Sequence, residues 1–532
     1  DQPRSRGLGD VYKRQGYNEV EKFYEFLYEK PKYIVFESDH IINRNSGKYP
    51  NDGLIYYTQD ISKLIRTQPF RRMGKIFQLG TKYLGDSNLK HSRADHSKGT
   101  YARTMELLMH LLEDKNINGL VKKGRYEKYI VAELMRGLTH DIGHGPFSHT
   151  METICNLPKG FHEDIGKRII NENKEINDAL NIIWPNLPEI MEEVEKRNFL
   201  GLNSLFEGQV DVDRGDFGPR DSWAFGLDDV GSDEITDLLQ NVTIRKTVID
   251  GKGKLIPVFS GECLPEIEKF LETRFNNYQK YYYSSSGKLF EHIYKEFSEE
   301  LLKADQEFSL KTFLENNYNK RPEEIDLDEY IHYNDIEFLK GIFEVYDHTT
   351  NERLRDLARV CIPDAESYYA LYYGLMVTKE DVNEDGNIRL SAENAKFFDR
   401  IAQLPAGSTL ELIRKRYVMQ KCNNEKDLKH KLKEMKREIN PNEEFDFKDF
   451  GITYDVSKNN LYKNKPGEEI YVADEEGKVY TFDKHPKRTV PLKKFTNVIL
   501  IIDKEKLKDK VKDDATVDRI IDIARNRRKE VR

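Results

Sequence analysis

No stretch of this chain is apolar for long enough to form a transmembrane helix. The longest strongly apolar run, Val498-Ile499-Leu500-Ile501-Ile502, ends after five residues, whereas a helical span needs about 20. Cysteine is scarce. Cys155, Cys263, Cys361 and Cys422 are spaced too widely for a zinc knuckle or a disulfide framework, so the expected setting is reduced and cytoplasmic. Neither sign of charge dominates. A net charge of −8 over 532 residues argues against nucleic-acid binding along the whole chain and leaves local basic patches open. What the chain has in quantity is charge, at 33% of residues, and aromatic side chains, with 30 Tyr and 27 Phe to fill a core. The length allows about two to four domains.

Asp1 to Gln15 is rich in Arg and Gly, has no apolar period, and is expected to be a non-native, adapter-like segment. Apolar spacing then predicts a helix and a short strand within 20–36, and a broken helical period over Ile61–Phe77. It predicts helices over Tyr101–Leu112 and Ile130–His140, the second stopped by Gly143, Gly145 and Pro146. Ile244 to Phe259 reads as a hairpin turning at Asp250-Gly251, and Leu264 to Tyr282 as helix. From Asp305 to Glu438 the pattern is mostly helical. The Lys-rich stretch 424–438, ending at Asn440-Pro441, marks a candidate boundary. Beyond it come a hairpin around Glu475-Glu476-Gly477, a buried strand at Asn497–Ile502 and a closing helix over 513–532. The expected fold class is mainly α, with a small C-terminal α+β region.

Histidine is unevenly distributed: seven of the 13 fall between positions 91 and 162. Imidazoles clustered with carboxylates are the composition of a metal or acid–base site, against the plainer reading of a solvated His-rich face. His140-Asp141 follows an apolar helix and opens a Gly-rich break, where both side chains can reach one divalent ion. Mixed nitrogen and oxygen ligation suits Fe, Mn, Zn or Ni. His96 is a third candidate ligand. The fourth is expected to be Asp213, in an acidic segment (Asp211, Asp213, Asp216, Asp221) interleaved with Arg214 and Arg220, whose plainer reading is a helix-capping loop.

The run His96-Ser97, then His140-Asp141-Ile142-Gly143-His144-Gly145-Pro146-Phe147-Ser148-His149, then Asp211-Val212-Asp213-Arg214 resembles the HD-domain phosphohydrolase superfamily. Within it the resemblance is to the deoxynucleoside triphosphate triphosphohydrolases, over roughly residues 60–300. It implies a helical HD core with His96, His140, Asp141 and Asp213 on the metal, and Mg accompanying the nucleotide as a further option. Gln78 and Leu79 would line the sugar, Arg93 the α-phosphate, and His149 the scissile ester. His144 and His162, with Glu163 following, would serve the second shell or proton transfer. Arg214 would stand for a phosphate-contacting Lys, Asp221 and Tyr282 would lie at the sugar, and Arg274 on the γ-phosphate. It also implies a dNTP substrate and a homo-oligomer, a dimer or tetramer.

There are departures. Phe217 stands where vertebrate members have a Tyr. Gly215, Gly218 and Pro219 suggest that this segment is not a smooth helix. Arg66, Arg71 and Gly74 replace the side chains that hold an activating nucleotide, so no strict GTP requirement is expected. The expected organisation is 1–15 as the adapter-like segment, 16–310 as the HD core, 311–440 as a helical extension and 441–532 as the C-terminal α+β region. Two other readings stay open: an HD phosphohydrolase acting on another nucleotide, and a nucleic-acid-binding regulator with an HD core, using the Lys-rich 424–438 and Arg525–Lys529 stretches.

Overall fold

The computed structural model describes residues 33–37, 54–86, 88–114, 117, 127–227, 232–249, 251–364, 392–405, 407–463 and 468–525. The expected helix before residue 33, the adapter-like segment and Arg527–Lys529 lie outside them. Among the described residues no helix is long and apolar enough to cross a membrane.

The molecule is mainly helical. Helix Arg93–Glu113 starts well before the apolar period that predicts it. Ser92 caps it: its hydroxyl accepts from the Asp95 amide, and the Asp95 carboxylate accepts from the Ser92 amide at 2.9 Å. This capping box extends the helix over a polar first turn and so sets His96 on a helical face. Helix Glu127–Thr139 packs beside it, with Met105, Leu108 and Leu111 meeting Leu134, Met135 and Leu138 in the largest apolar cluster. Each such side chain stabilises by about 1.5–3 kcal/mol on burial.

Helix Val212–Ala224 lies against helix Arg93–Glu113. It is continuous, contrary to the expected break at Pro219. The Pro ring opposes the carbonyl of Gly215, and a glycine there can yield to it. Asp211 caps this helix by accepting from the Arg214 amide at 2.7 Å. A second apolar cluster gathers helices Ser285–Leu302, Ser309–Asn317, Asp335–His348 and Glu352–Cys361 around Phe77, Tyr83 and Phe147.

Among the described residues, strands form three small sheets. β1 (Tyr33–Glu37) pairs antiparallel with β2 (Leu54–Thr58). The expected hairpin is β3 (Val242–Ile249) and β4 (Lys252–Ser260). β5 (Tyr417–Cys422) and β6 (Ile452–Asn460) flank a later central strand. β7 (Tyr471–Ala473) and β8 (Val479–Thr481) form the second expected hairpin, and β9 (Lys494–Asp503) contains the expected buried strand. The sheet orders are β3-β4-β7-β8 and β5-β9-β6.

This overturns the expected boundary at 440. β5 lies in the helical extension as read from sequence, yet it pairs with β9 along its length. Helix Glu425–Ile439, the Lys-rich stretch at that candidate boundary, packs Leu428 and Met435 into the same cluster as Val498, Leu500 and Ile520. The β5-β9-β6 unit therefore begins near Tyr417. β7 joins β4 in parallel, so the C-terminal region is shared between two sheets.

Candidate functional site

The HD turn is held open by groups far away in sequence. Arg72, buried, donates to the carbonyls of Tyr333 at 2.8 Å, His144 at 2.5 Å and Ile142 at 3.4 Å. The Tyr330 hydroxyl donates to Gly143 O at 3.0 Å. Asp335 accepts from the amides of Phe77 at 2.9 Å and Phe147 at 2.6 Å. These bonds hold Phe147 and Ser148 at φ of +57° and +56°, a costly conformation for residues other than glycine. Gly143 is required by close approach: a Cβ there would lie 2.0 Å from His162 O.

On this frame four predicted ligands converge. His96 Nε2 lies 2.9 Å from Asp213 Oδ1, 3.4 Å from Asp141 Oδ2 and 3.1 Å from His140 Nε2. His140 Nε2 is 3.5 Å from both Asp141 Oδ1 and Asp213 Oδ1. The outer nitrogens are already committed: His96 Nδ1 to Asp216 Oδ2 at 2.8 Å and His140 Nδ1 to Gly137 O at 3.1 Å. Arg220 grips both oxygens of Asp216, at 2.8 and 2.9 Å. With a cation bound, each imidazole would donate outward from Nδ1 and turn a lone pair inward at Nε2.

Two ring nitrogens facing each other beside two carboxylates fit a divalent cation. The same shortage of positive charge shows in the protonation. Burial alone would lower His96, but hydrogen bonds to Asp213 and Asp216 and the charge of Asp141 outweigh it and lift its pKa to about 10. Burial would raise Asp213, yet His140 and His96 hold it below the usual carboxylate range.

A second group adjoins the first. His144, His149, Glu152 and His162 each present a ligand-type atom, all within 4.8 Å of one another. His162 Nδ1 is 2.5 Å from Glu152 Oε1, and His149 Nδ1 is 3.6 Å from Glu152 Oε2. The carboxylate on His162 is thus Glu152 and not Glu163, which lines the cavity nearby. Although burial raises it, hydrogen bonds to His149 and His162 hold Glu152 well below the usual range. Burial, with the charges of Arg93 and His162, holds His144 well below its usual pKa, so it is neutral. Its Nε2 lies 3.3 Å from Asp141 Oδ1, near enough to feel that charge, and neither ring nitrogen has an aligned hydrogen-bond partner.

Both groups open on one cavity of about 890 Å³. Arg93 reaches it but is paired, donating to Asp141 Oδ2 at 2.6 Å and Ser148 Oγ at 2.9 Å. Gln78 and Leu79 line it, and Gln78 Oε1 is buried without a partner. Asp221 is fully engaged: Oδ1 faces His91 Nε2 at 2.6 Å and Oδ2 accepts from the Tyr282 hydroxyl at 2.5 Å. Tyr282 ends a π-turn, Tyr278–Tyr282, which rotates both residues toward the cavity. Phe217 lies edge-on to His96, ring centres 6.0 Å apart. Arg214 lines the cavity and pairs with Asp211.

Arg274 departs from expectation. Its guanidinium is buried, donating to Gln209 O at 3.0 Å and Leu461 O at 2.9 Å, and it does not line the cavity. Arg66 and Arg71 are exposed on the surface. Sequence reading missed Arg72, His91, Glu152, Asp216 and Asp335. Of these, Glu152 at i+3 from His149 and the Asp216–Arg220 pair at i,i+4 carry a local signal.

Residues 93–213 match the HD domain family. The chain is 31% identical over 226 residues to the uncharacterized protein YwfO of Bacillus subtilis, covering 41% of this chain and 47% of that protein. It is 26% identical over 258 residues to a deoxynucleoside triphosphate triphosphohydrolase SAMHD1 homolog of Dictyostelium discoideum, covering 42% of this chain and 44% of that one. The chain spans about half the length of the curated relatives it matches, at 47%, 52% and 52% for three of them. A phosphohydrolase structure from Bacteroides thetaiotaomicron superposes with a TM-score of 0.55 at 18% identity, covering 88% of this chain and 100% of that one, which shows the shared fold. A convergent His-Asp centre, an HD match across its ligand positions and a shared fold lead to one statement: the chain carries an HD domain and resembles the HD-domain phosphohydrolases.

Proposed function

We propose that this chain is a metal-dependent phosphohydrolase that cleaves dNTPs to deoxynucleoside and tripolyphosphate. The observation that supports it most directly is the pair of inward-facing Nε2 atoms with Asp141 and Asp213, set beside a separate His–Glu group in one cavity. His96, His140, Asp141 and Asp213 would hold Fe, Mn, Zn or Ni, which supplies Lewis acidity toward a phosphate oxygen and lowers the pKa of water.

The remaining work falls to the chain's own groups. Arg93, gripped by Asp141 and Ser148, presents a fixed cation to the α-phosphate. His149, the most exposed of its group, gives its proton to the departing 5′-oxygen, and Glu152 orients it. Gln78 Oε1 accepts the sugar 3′-hydroxyl, which satisfies an otherwise orphaned buried oxygen. Tyr282 spends its only proton on Asp221, so its ring presents an apolar edge and a hydroxyl that only accepts. A ribose 2′-hydroxyl would be desolvated there, which favours deoxynucleotides. Assembly as a dimer or tetramer belongs to the same reading.

Product identification tests it. Each dNTP and NTP is incubated with metal-loaded protein and the products are separated by anion exchange. Intact tripolyphosphate with deoxynucleoside, and dATP turned over faster than ATP, is the expected result. Pyrophosphate with dNMP, or equal turnover of ATP and dATP, overturns the reading.

A further inference from the structure

Glu152 stands between two imidazoles. It follows His149 by one helical turn on helix His149–Ile154, so both side chains lie on one face. His162 comes from the first turn of helix Phe161–Glu172. The Nδ1 atoms of both rings turn to the carboxylate, His162 to Oε1 at 2.5 Å and His149 to Oε2 at 3.6 Å. Among the described residues, imidazoles are the only ion-pair partners of Glu152. Its charge is thus faced by rings that can exchange a proton for a metal ion, and by no lysine or arginine at ion-pair distance.

Tetrahedral zinc, with bonds of about 2.0–2.2 Å to nitrogen and oxygen, spaces its donor atoms roughly 3.4 Å apart. The His149–Glu152 separation is of that order, and the donors of the group lie within 4.8 Å of one another. The closer His162–Glu152 contact is the length of a shared proton, whose place a cation would take. His144 belongs to the group without being a ligand. Its ring is stacked on that of His162, 11° from parallel with centres 4.0 Å apart, so the two cannot aim nitrogens at one ion. It is 1% exposed, and neither of its nitrogens has an aligned hydrogen-bond partner. The rings of His149 and His162 meet at 82° and can converge. Two imidazoles, one carboxylate and a side open to the cavity make the donor set of a zinc ion that keeps a water position. None of these side chains belongs to the His96, His140, Asp141 and Asp213 centre.

We propose that His149, Glu152 and His162 bind a second divalent cation of the zinc class, and that this ion blocks the reaction. The inhibitory part rests on the dNTP reading above. As the acid, His149 is an imidazolium that gives its Nε2 proton to the departing oxygen and is left neutral. An ion on Nδ1 takes the place of the other ring proton. Giving up the Nε2 proton would then leave an imidazolate, so the donor is silenced. Magnesium, which favours oxygen ligands and a full octahedron, does not suit this set.

Zinc counting and kinetics on the full-length protein test it. The protein is dialysed against buffered free Zn²⁺, zinc is counted per chain, and dATP hydrolysis is followed across the same concentrations. The parent should hold about two ions. Glu152→Gln keeps the shape of the side chain and removes its charge, and His149→Ala falls at a largely exposed position where folding is expected to survive. Each should hold about one ion fewer, whereas Asp213→Ala should lose the first ion and keep the second. Parental hydrolysis should rise with the first ion and fall about 100-fold or more as the second binds. Dialysis back to one equivalent should restore it, and Mg²⁺ at the same concentration should not inhibit. A parent that holds one ion, or a second ion retained in both Glu152→Gln and His149→Ala, overturns the site. A second ion that is lost in those variants but leaves parental hydrolysis unchanged upholds the site and overturns the inhibition. If no dNTP is hydrolysed and the second ion still depends on Glu152, the site stands and the dNTP reading falls.

Discussion

Asp216 accepts the Nδ1 proton of His96 and is itself gripped by Arg220, so it sets both the tautomer and the tilt of a candidate metal ligand. Asp216→Ala should leave the four proposed ligands in place yet weaken metal affinity by roughly 10–100-fold, the usual effect of losing an outer partner. Competition with a chelating dye measures this; unchanged affinity would show that His96 is oriented by something else. The sequence shows the ligands and hides their keeper for a physical reason. His140-Asp141 is adjacent in the chain, and His96 and Asp213 belong to a spaced pattern. Asp216 is one acid among four in a short segment, and its role appears only when helix Val212–Ala224 is laid against helix Arg93–Glu113. Arg72 and Asp335 are harder still. They act on main-chain groups of the HD turn, and a main-chain acceptor leaves no trace in residue type.

Between elements, two contacts decide whether the site can form. Helix Val212–Ala224 approaches helix Arg93–Glu113 so closely that a Cβ on Gly99 would sit 1.8 Å from Asp216 Oδ1 and 2.5 Å from Arg220 Nη2. Gly99→Ala should therefore displace the Asp216–Arg220 pair and lose metal as Asp216→Ala does, although it touches no ligand. Metal content by elemental analysis checks this. The other contact is Asp335 at the start of helix Asp335–His348, holding the amides of Phe77 and Phe147. Burial lifts its pKa to about 7 against the pull of those amides. Its folded value is above the unfolded value of about 3.9, so its contribution is full below pH about 4 and is lost as pH rises through about 7. Asp335→Asn removes that titration and leaves one amide poorly matched, at a cost of about 1–3 kcal/mol. Urea midpoints should place the variant well below the parent at pH 4.5, with the gap narrowing toward pH 7.5. A gap that widens with pH would contradict this.

For the molecule as a whole, apolar periodicity read the helical body and the later hairpins, because each is a local pattern. It misplaced the boundary at 440, because β5 is recognisable only by its pairing with β9, some 80 residues on. A chain ended at Asn440 should consequently fail to fold: it strips β9 from β5 and β7 from β4, and uncovers Val418, Cys422, Leu428 and Met435. Circular dichroism and size exclusion would report it, and a monomeric, cooperatively melting product would restore the boundary at 440. The Gln209 side chain, which donates to Lys463 O and Glu468 O and accepts from the Lys463 amide, adds a matter of timing. On a ribosome adding about 5–20 residues per second, Asp213 emerges roughly 10–50 s before Lys463 exists. During that interval the nascent HD segment has its candidate ligands but an unfinished wall, with the amide of Gln209 still in water.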